Sequence, residues 1–306
     1  MLDIWAYLSG SLILLLLIAF IYSIHKKKFK EFVFSFLIVF ITVQLIKAAF
    51  KVPRPINYFD YSFISLHSAL AFFAFYYLRE FLVLIIWPIL IAISRVKLNL
   101  HRIEDIILGA VYGFYISYVI ESNFKKFESN FKINKYYILR KLLHIVFYLS
   151  FGFLAFFKPY FLSYAVLSLV VIYIINLMKR EVLFDNPIFK TREYNEDLKH
   201  TMFFPFLSLI IFLIFENPYL ILFSSLVFAI ADGLVGLLTV LTNNYFYSFL
   251  ITNFYLFLIV SAIFNLNYGL LGALSFALGD LIAKKLSLND NYLIPITSYI
   301  IALLLF

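Results

Sequence analysis

The chain alternates between long apolar runs and short polar gaps. Runs at 4–24, 31–50, 63–78, 81–95, 103–120, 138–157, 160–178, 201–215, 219–241, 245–264, 268–283 and 292–306 are built mostly from aliphatic and aromatic residues. They are continuous rather than alternating apolar with polar, which fits helices and not barrel strands. A helix crossing a bilayer takes about 20 residues. The pattern therefore predicts an all-α polytopic integral membrane protein with about 12 transmembrane helices. The first run is long and lacks a small-residue cleavage site, so it reads as a span and not a removable signal peptide. The charged stretch 121–137 (ESNFKKFESNFKINKYY) separates the two halves. It divides the chain into a membrane domain over 1–121, a charged cytoplasmic linker over 122–137 and a second membrane domain over 138–306, each a helical bundle. No internal repeat stands out.

Composition sharpens this picture. Of the 306 residues 64% are apolar and 14% charged, against about 25% charged in a water-soluble domain. Cysteine is absent, which excludes disulfides, thiolate metal sites, iron–sulfur clusters and cysteine nucleophiles. The 25 Lys and Arg against 17 Asp and Glu give a net charge of +8. On so apolar a chain that excess points to loops beside anionic lipid, not to nucleic acid. Lys26, Lys27, Lys28 and Lys30 follow the first run and Arg79 the third. Lys125, Lys126, Lys132 and Lys135 follow the fifth, Lys179 and Arg180 the seventh, Lys284 and Lys285 the eleventh. These gaps share one side, which the positive-inside rule makes cytoplasmic, leaving the N-terminus outside.

Two sets of polar residues interrupt the apolar pattern. In the first, Lys47 is followed after six residues by Arg54-Pro55, then by Ile64-Ser65-Leu66-His67, then by Ser94-Arg95, five residues, His101, three residues and Asp105. A phosphoryl group in transfer spreads negative charge over its oxygens and needs several fixed cations; Lys47, Arg54 and Arg95 supply three. Asp105, four residues after His101, lies on the same face if the helix has begun there. A carboxylate so placed can keep one imidazole nitrogen protonated and leave the other free to attack phosphorus. Alone, Lys47 or Arg54 would read as an interfacial anchor. Seven such positions in order on one predicted face read as a site. His25 adjoins the first Lys run at a helix end and is assigned no catalytic role.

The order and spacing of this set resemble the three-part signature of the type 2 phosphatidic acid phosphatase superfamily, over roughly residues 30–120. Ile64 and Leu66 stand where that family has Pro and Gly, and Gly109 and Gly113 fall where its last helix carries small residues. The resemblance implies a phosphohistidine mechanism. His101 would be the nucleophile, Asp105 its orienting group, and His67 the acid toward the leaving oxygen and then the base for water. Lys47, Arg54, Ser65 and Arg95 would hold the phosphate, with no metal or other cofactor.

The second set opens the C-terminal half with Arg140, Lys141 and His144, continues with Asp232, and ends with Asp290, Asn291 and Pro295. It resembles the dolichol kinase and phytol kinase family of CTP-dependent polyprenol kinases, over roughly 138–306. That resemblance implies CTP and Mg2+ as cofactors, with Arg140, Lys141 and Arg192 as phosphate-binding cations and Asp232 or Asp290 as magnesium ligands. The Lys-Ser-x-Glu-Gly stretch of those kinases is missing; the corresponding region reads NNYFYSFLITNF. Weak or absent kinase activity is therefore expected. Asp232 and Asp280 are functional candidates on cost alone, since a carboxylate inside a membrane is expensive.

Together the resemblances imply a membrane enzyme acting on isoprenoid-lipid phosphates, with a polyprenyl diphosphate phosphatase site outside and a kinase-like site on the cytoplasmic face. Two other readings compete. One is a phosphatidate or glycerolipid phosphate phosphatase with an inactive C-terminal half. The other is a transporter or flippase, which would show half-broken helices at matching places in inverted repeats. The lipid chain and the oligomeric state are left open.

Overall fold

The computed structural model describes residues 2–55, 61–133, 135–158, 161 and 194–306. Apart from Phe161, the run 160–178 lies outside the described residues, as do Lys179, Arg180 and Arg192. All regular structure among the described residues is helical: α1 (Leu2–Gly10), α2 (Leu12–His25), α3 (Phe29–Phe50), α4 (Leu66–Tyr77), α5 (Ile86–Lys97), α6 (Ile103–Ile133), α7 (Lys135–Phe157), α8 (Tyr194–Phe215), α9 (Pro218–Thr242), α10 (Tyr245–Ile263), α11 (Leu266–Leu286) and α12 (Asp290–Leu305).

Among the described residues seven helical stretches, not twelve, are long and apolar enough to cross a membrane. These are Ile4–His25, Phe29–Phe50, Ile103–Phe131, Lys135–Phe157, Pro218–Thr242, Tyr245–Ile263 and Leu266–Leu286. Leu66–Tyr77, Phe203–Phe215 and Asp290–Leu305 are apolar but shorter. The shortfall has local causes. Run 63–78 loses its first residues to the loop that Ser65 closes as N-cap. Run 81–95 opens as a 3-10 turn over Leu82–Ile85, and Pro88 is accommodated in the first turn of α5, where its missing N–H costs nothing. Gly10 and Ser11 mark the change from α1 to α2 without ending the first run as a span, and run 160–178, Phe161 apart, lies outside the described residues.

The chain divides into two compact units, Met1–Lys126 and Phe127–Phe306. The division falls within α6, and the stretch read as a linker is helical on both sides of residue 134. In the first unit α4 is the central helix. Small residues Ala69, Ala71 and Ala74 alternate along it with Leu70, Phe73 and Tyr77, and all six are buried. Helices α2, α3 and α5 pack around it. Helix α6 comes closer still: a Cβ on Gly113 would stand 1.9 Å from the Ala69 carbonyl oxygen, and one on Gly109 2.5 Å from that of Ser65. Only residues without a side chain allow backbones to approach so far.

The C-terminal end of α4 closes on a charged network. Lys26 pairs with Glu80 at 2.8 Å and Arg79 with Glu121 at 3.0 Å, while Lys28 and Tyr76 also bond Glu121. In the second unit α9 is central. It is buried without interruption from Leu220 to Gly233, with α7, α8, α10, α11 and α12 packed on it.

Candidate functional site

The N-terminal ends of α4 and α6 carry Ser65, His67, His101 and Asp105 of the first set. After α5 the chain reverses at Asn99, a non-glycine residue in the left-handed region (φ 53°). The N–H groups of Leu100 and His101 both donate to the Arg95 carbonyl, at 3.0 and 3.2 Å. This turn sets His101 beside Arg95. Helix α6 begins at Ile103, so His101 stands just ahead of it rather than on its face. Asp105, in the first turn, faces back and accepts from the Arg102 N–H at 3.1 Å. A carboxylate there is favoured by the helix dipole. His101 Nδ1 lies 3.4 Å from Asp105 Oδ2, so Nε2 is the nitrogen turned away from the carboxylate.

The loop before α4 is sewn to the same carboxylate. Ser62 Oγ donates to Asp105 Oδ2 and stands 3.3 Å from His101 Nδ1. The Ser65 N–H donates to the Asp105 carbonyl at 3.0 Å. Ser65 Oγ accepts from the Ser68 N–H at 3.3 Å, the ordinary work of an N-cap. Between Ser62 and Ser65, Phe63 adopts a left-handed backbone (φ 54°), costly for a bulky residue. Its ring stacks on Phe50 at 4.7 Å, which helps to hold it there.

The cations arrive from separate elements. Lys47 sits in the last turn of α3, buried. Arg95 comes from the end of α5, its Nη1 donating to Ser9 Oγ of α1 at 2.6 Å. Lys47, Arg54 and Arg95 all act electrostatically on both His67 and His101, so the seven positions picked out by spacing converge. Burial, helped by these three cations and opposed by Asp105, pushes the His101 imidazole down to about 4. At neutral pH it is therefore unprotonated, as a nucleophile must be. Ser62 and Ser9 were not among the residues expected here, since a serine in a loop or at a helix end carries no distinguishing pattern.

In the second unit Lys141 donates to both oxygens of Asp232, each at 2.8 Å, and His144 Nε2 lies 3.2 Å from Asp232 Oδ2. Gly236 makes room: a Cβ there would stand 2.6 Å from Lys141 Cε. Arg140 lies over the Tyr137 ring, 5.1 Å from its centroid. Asp290 and Asn291 open α12, with the Asn291 N–H capped by Asn289 at 3.0 Å. Asp280 accepts from Tyr245 at 2.5 Å and Lys284 at 2.8 Å. Both oxygens of Asp232 thus face a cation, an arrangement that satisfies a buried carboxylate but does not fit a magnesium ligand. Among the described residues no group of three His, Cys, Asp or Glu side chains is placed to hold a metal ion. Compared with family models, curated proteins and solved structures, the chain matches none of them.

Proposed function

We propose that the first unit is a lipid phosphate phosphatase acting on a polyprenyl diphosphate or a related lipid phosphate through a phosphohistidine. The observation that carries this reading is His101, neutral, with Nδ1 turned to Asp105 and three cations within electrostatic reach. Nε2 would attack phosphorus while Lys47, Arg54 and Arg95 neutralise the equatorial oxygens. The bond to the leaving oxygen breaks, and His67 gives that oxygen a proton. Burial and the surrounding cations hold the His67 imidazole unprotonated in the free protein; the negative charge of a bound phosphate offsets those cations and favours the protonated form that this step needs. Water, deprotonated by His67, then attacks the phosphohistidine, frees inorganic phosphate and restores Nε2.

The positive-inside bias supports an extracytoplasmic site. The second unit is read as a polyprenol kinase-like bundle whose Lys141–Asp232–His144 cluster does not fit a magnesium nucleotide, in keeping with the missing Lys-Ser-x-Glu-Gly stretch.

Purified protein given polyprenyl diphosphate, polyprenyl monophosphate and phosphatidate, with a chelator present, should release phosphate. His101→Ala should abolish release, and Arg95→Ala should slow it about 100–1000-fold, the cost of removing one donor to a developing charge. Normal turnover by His101→Ala, or activity that chelation removes and magnesium restores, would overturn the reading.

A further inference from the structure

We infer that Ser62 is a positioning residue that fixes the tautomer of His101 and ties the phosphate-binding loop to it. The inference rests on the phosphatase reading only for its kinetic consequence. Ser62 is wholly buried, and its hydroxyl and its N–H each have a definite partner. Its hydroxyl proton goes to Asp105 Oδ2. Its N–H goes to the Val52 carbonyl at 2.7 Å, two residues before Arg54.

The first of these bonds settles which imidazole nitrogen carries the proton. Ser62 Oγ stands 3.3 Å from Nδ1 and Asp105 Oδ2 3.4 Å. Because the hydroxyl proton is committed to the carboxylate, both oxygens present lone pairs to Nδ1. An unprotonated Nδ1 would face two acceptors and no donor, so the proton sits on Nδ1 and the lone pair on Nε2. Asp105 alone is a weak director, since at 3.4 Å the contact with Nδ1 is long for a charge-assisted bond. Asp105 Oδ2 is also shared with the Arg102 N–H. Ser62 adds a second acceptor and holds the carboxylate still. Through the Val52 bond the same residue fixes the segment that carries Arg54, so the cation and the nucleophile are registered against one another by one side chain and its own backbone.

Nitrogen-15 spectra of histidine-labelled protein test this, with the His101 signal assigned by its loss in His101→Ala. The wild type should show the Nδ1–H tautomer, and Ser62→Ala a mixture or the Nε2–H form. An Nε2–H tautomer in the wild type, or an Nδ1–H tautomer unchanged in Ser62→Ala, overturns the inference whether or not the protein turns over. Kinetics provide the second arm. Forcing the wrong tautomer in a Ser-His-Asp triad costs about 10⁴-fold in kcat; since Asp105 remains here, Ser62→Ala should lose roughly 10–100-fold in kcat with KM little changed. Ser62→Thr, which keeps the hydroxyl, should recover most of it, and Ser62→Ala should cost less in an Asp105→Asn background than in the wild type. Equal loss in both Ser62 variants, or additivity with Asp105→Asn, marks Ser62 as structural only. A wild type that releases no phosphate but shows the expected tautomers refutes the phosphatase reading and leaves the positioning role intact.

Discussion

Replacing Gly113 with alanine adds one methyl group and should cost most of the activity. The added Cβ would lie 1.9 Å from the Ala69 carbonyl oxygen and 2.7 Å from its carbon. Those atoms belong to the backbone of the central helix, so no rotamer change relieves the overlap. Ordinary contact begins near 3.4 Å, and α6 must therefore withdraw from α4 by about 1.5 Å. The site spans these two helices. The bond from the Ser65 N–H to the Asp105 carbonyl, 3.0 Å long, and the Ser62–Asp105 bond both cross the gap that would open. Overpacking of this kind costs about 1–3 kcal/mol of stability, and a displacement of about 1 Å in a catalytic constellation costs about 100-fold in rate. Phosphate release in detergent micelles and thermal melts followed by circular dichroism measure the two losses separately. Gly10→Ala is the internal control, because a Cβ there meets nothing within 4 Å. Gly113→Ala with the activity and melting temperature of Gly10→Ala would refute the argument.

Two further predictions concern charge. His101 stays neutral until the pH falls to about 4, so kcat/KM should show no loss from this group near the ordinary histidine value of about 6.5. The loss should come as the pH falls through about 4; a limb centred near 6.5 would refute the burial argument. The sign for stability follows, since the unfolded imidazole takes up a proton below about 6.5 while the folded one does not, and stability should decline between those two values. In the second unit, Asp232→Asn or Lys141→Met leaves one buried charge without its partner and should cost about 3–5 kcal/mol. The double variant Lys141→Met, Asp232→Leu should be more stable than either single one in the same melts. Silent single variants would show that the pair contributes nothing.

Hydropathy made the long helices legible and the short ones misleading. It counts apolar side chains along a run but does not register where the backbone leaves the helix. Run 81–95 is as apolar as its neighbours, yet it folds as a 3-10 turn and a short helix. The spacing of charged and histidine residues located a cluster that the fold brings together from separate elements, whatever the intervening loops do. The reason the spacing works was less visible. Asp105 is four positions after His101, but the helix starts at Ile103 and the reversal at Asn99 does the placing. Leu66, which departs from the glycine of the resembled motif, is the first helical residue of α4 and needs no unusual backbone. The unusual conformation lies three residues earlier at Phe63, a position that nothing in its residue type betrays. Ser62 was hidden for a different reason: serine is so common in loops that its presence there carries no information until its partners are seen.

The central helix is 12 residues long, about 18 Å at 1.5 Å per residue, whereas the hydrocarbon layer of a bilayer is about 30 Å thick. Its C-terminal end is anchored in the charged network of Arg79, Glu80 and Glu121, so the shortfall accumulates at the end that bears His67. Non-helical backbone within a hydrocarbon layer has no water to bond and must be satisfied by protein. The bonds from Ser62 to Val52, from Ser65 to Asp105, and from Leu100 and His101 to Arg95 meet that demand. Hydrophobic mismatch thereby becomes a property of the site. On the phosphatase reading, a lipid whose phosphate rides at the surface would have to sink to reach His101, or the bilayer thin around the first unit. Bilayer thickness would then act as a second substrate coordinate, and on the same reading short-chain host lipids should speed phosphate release.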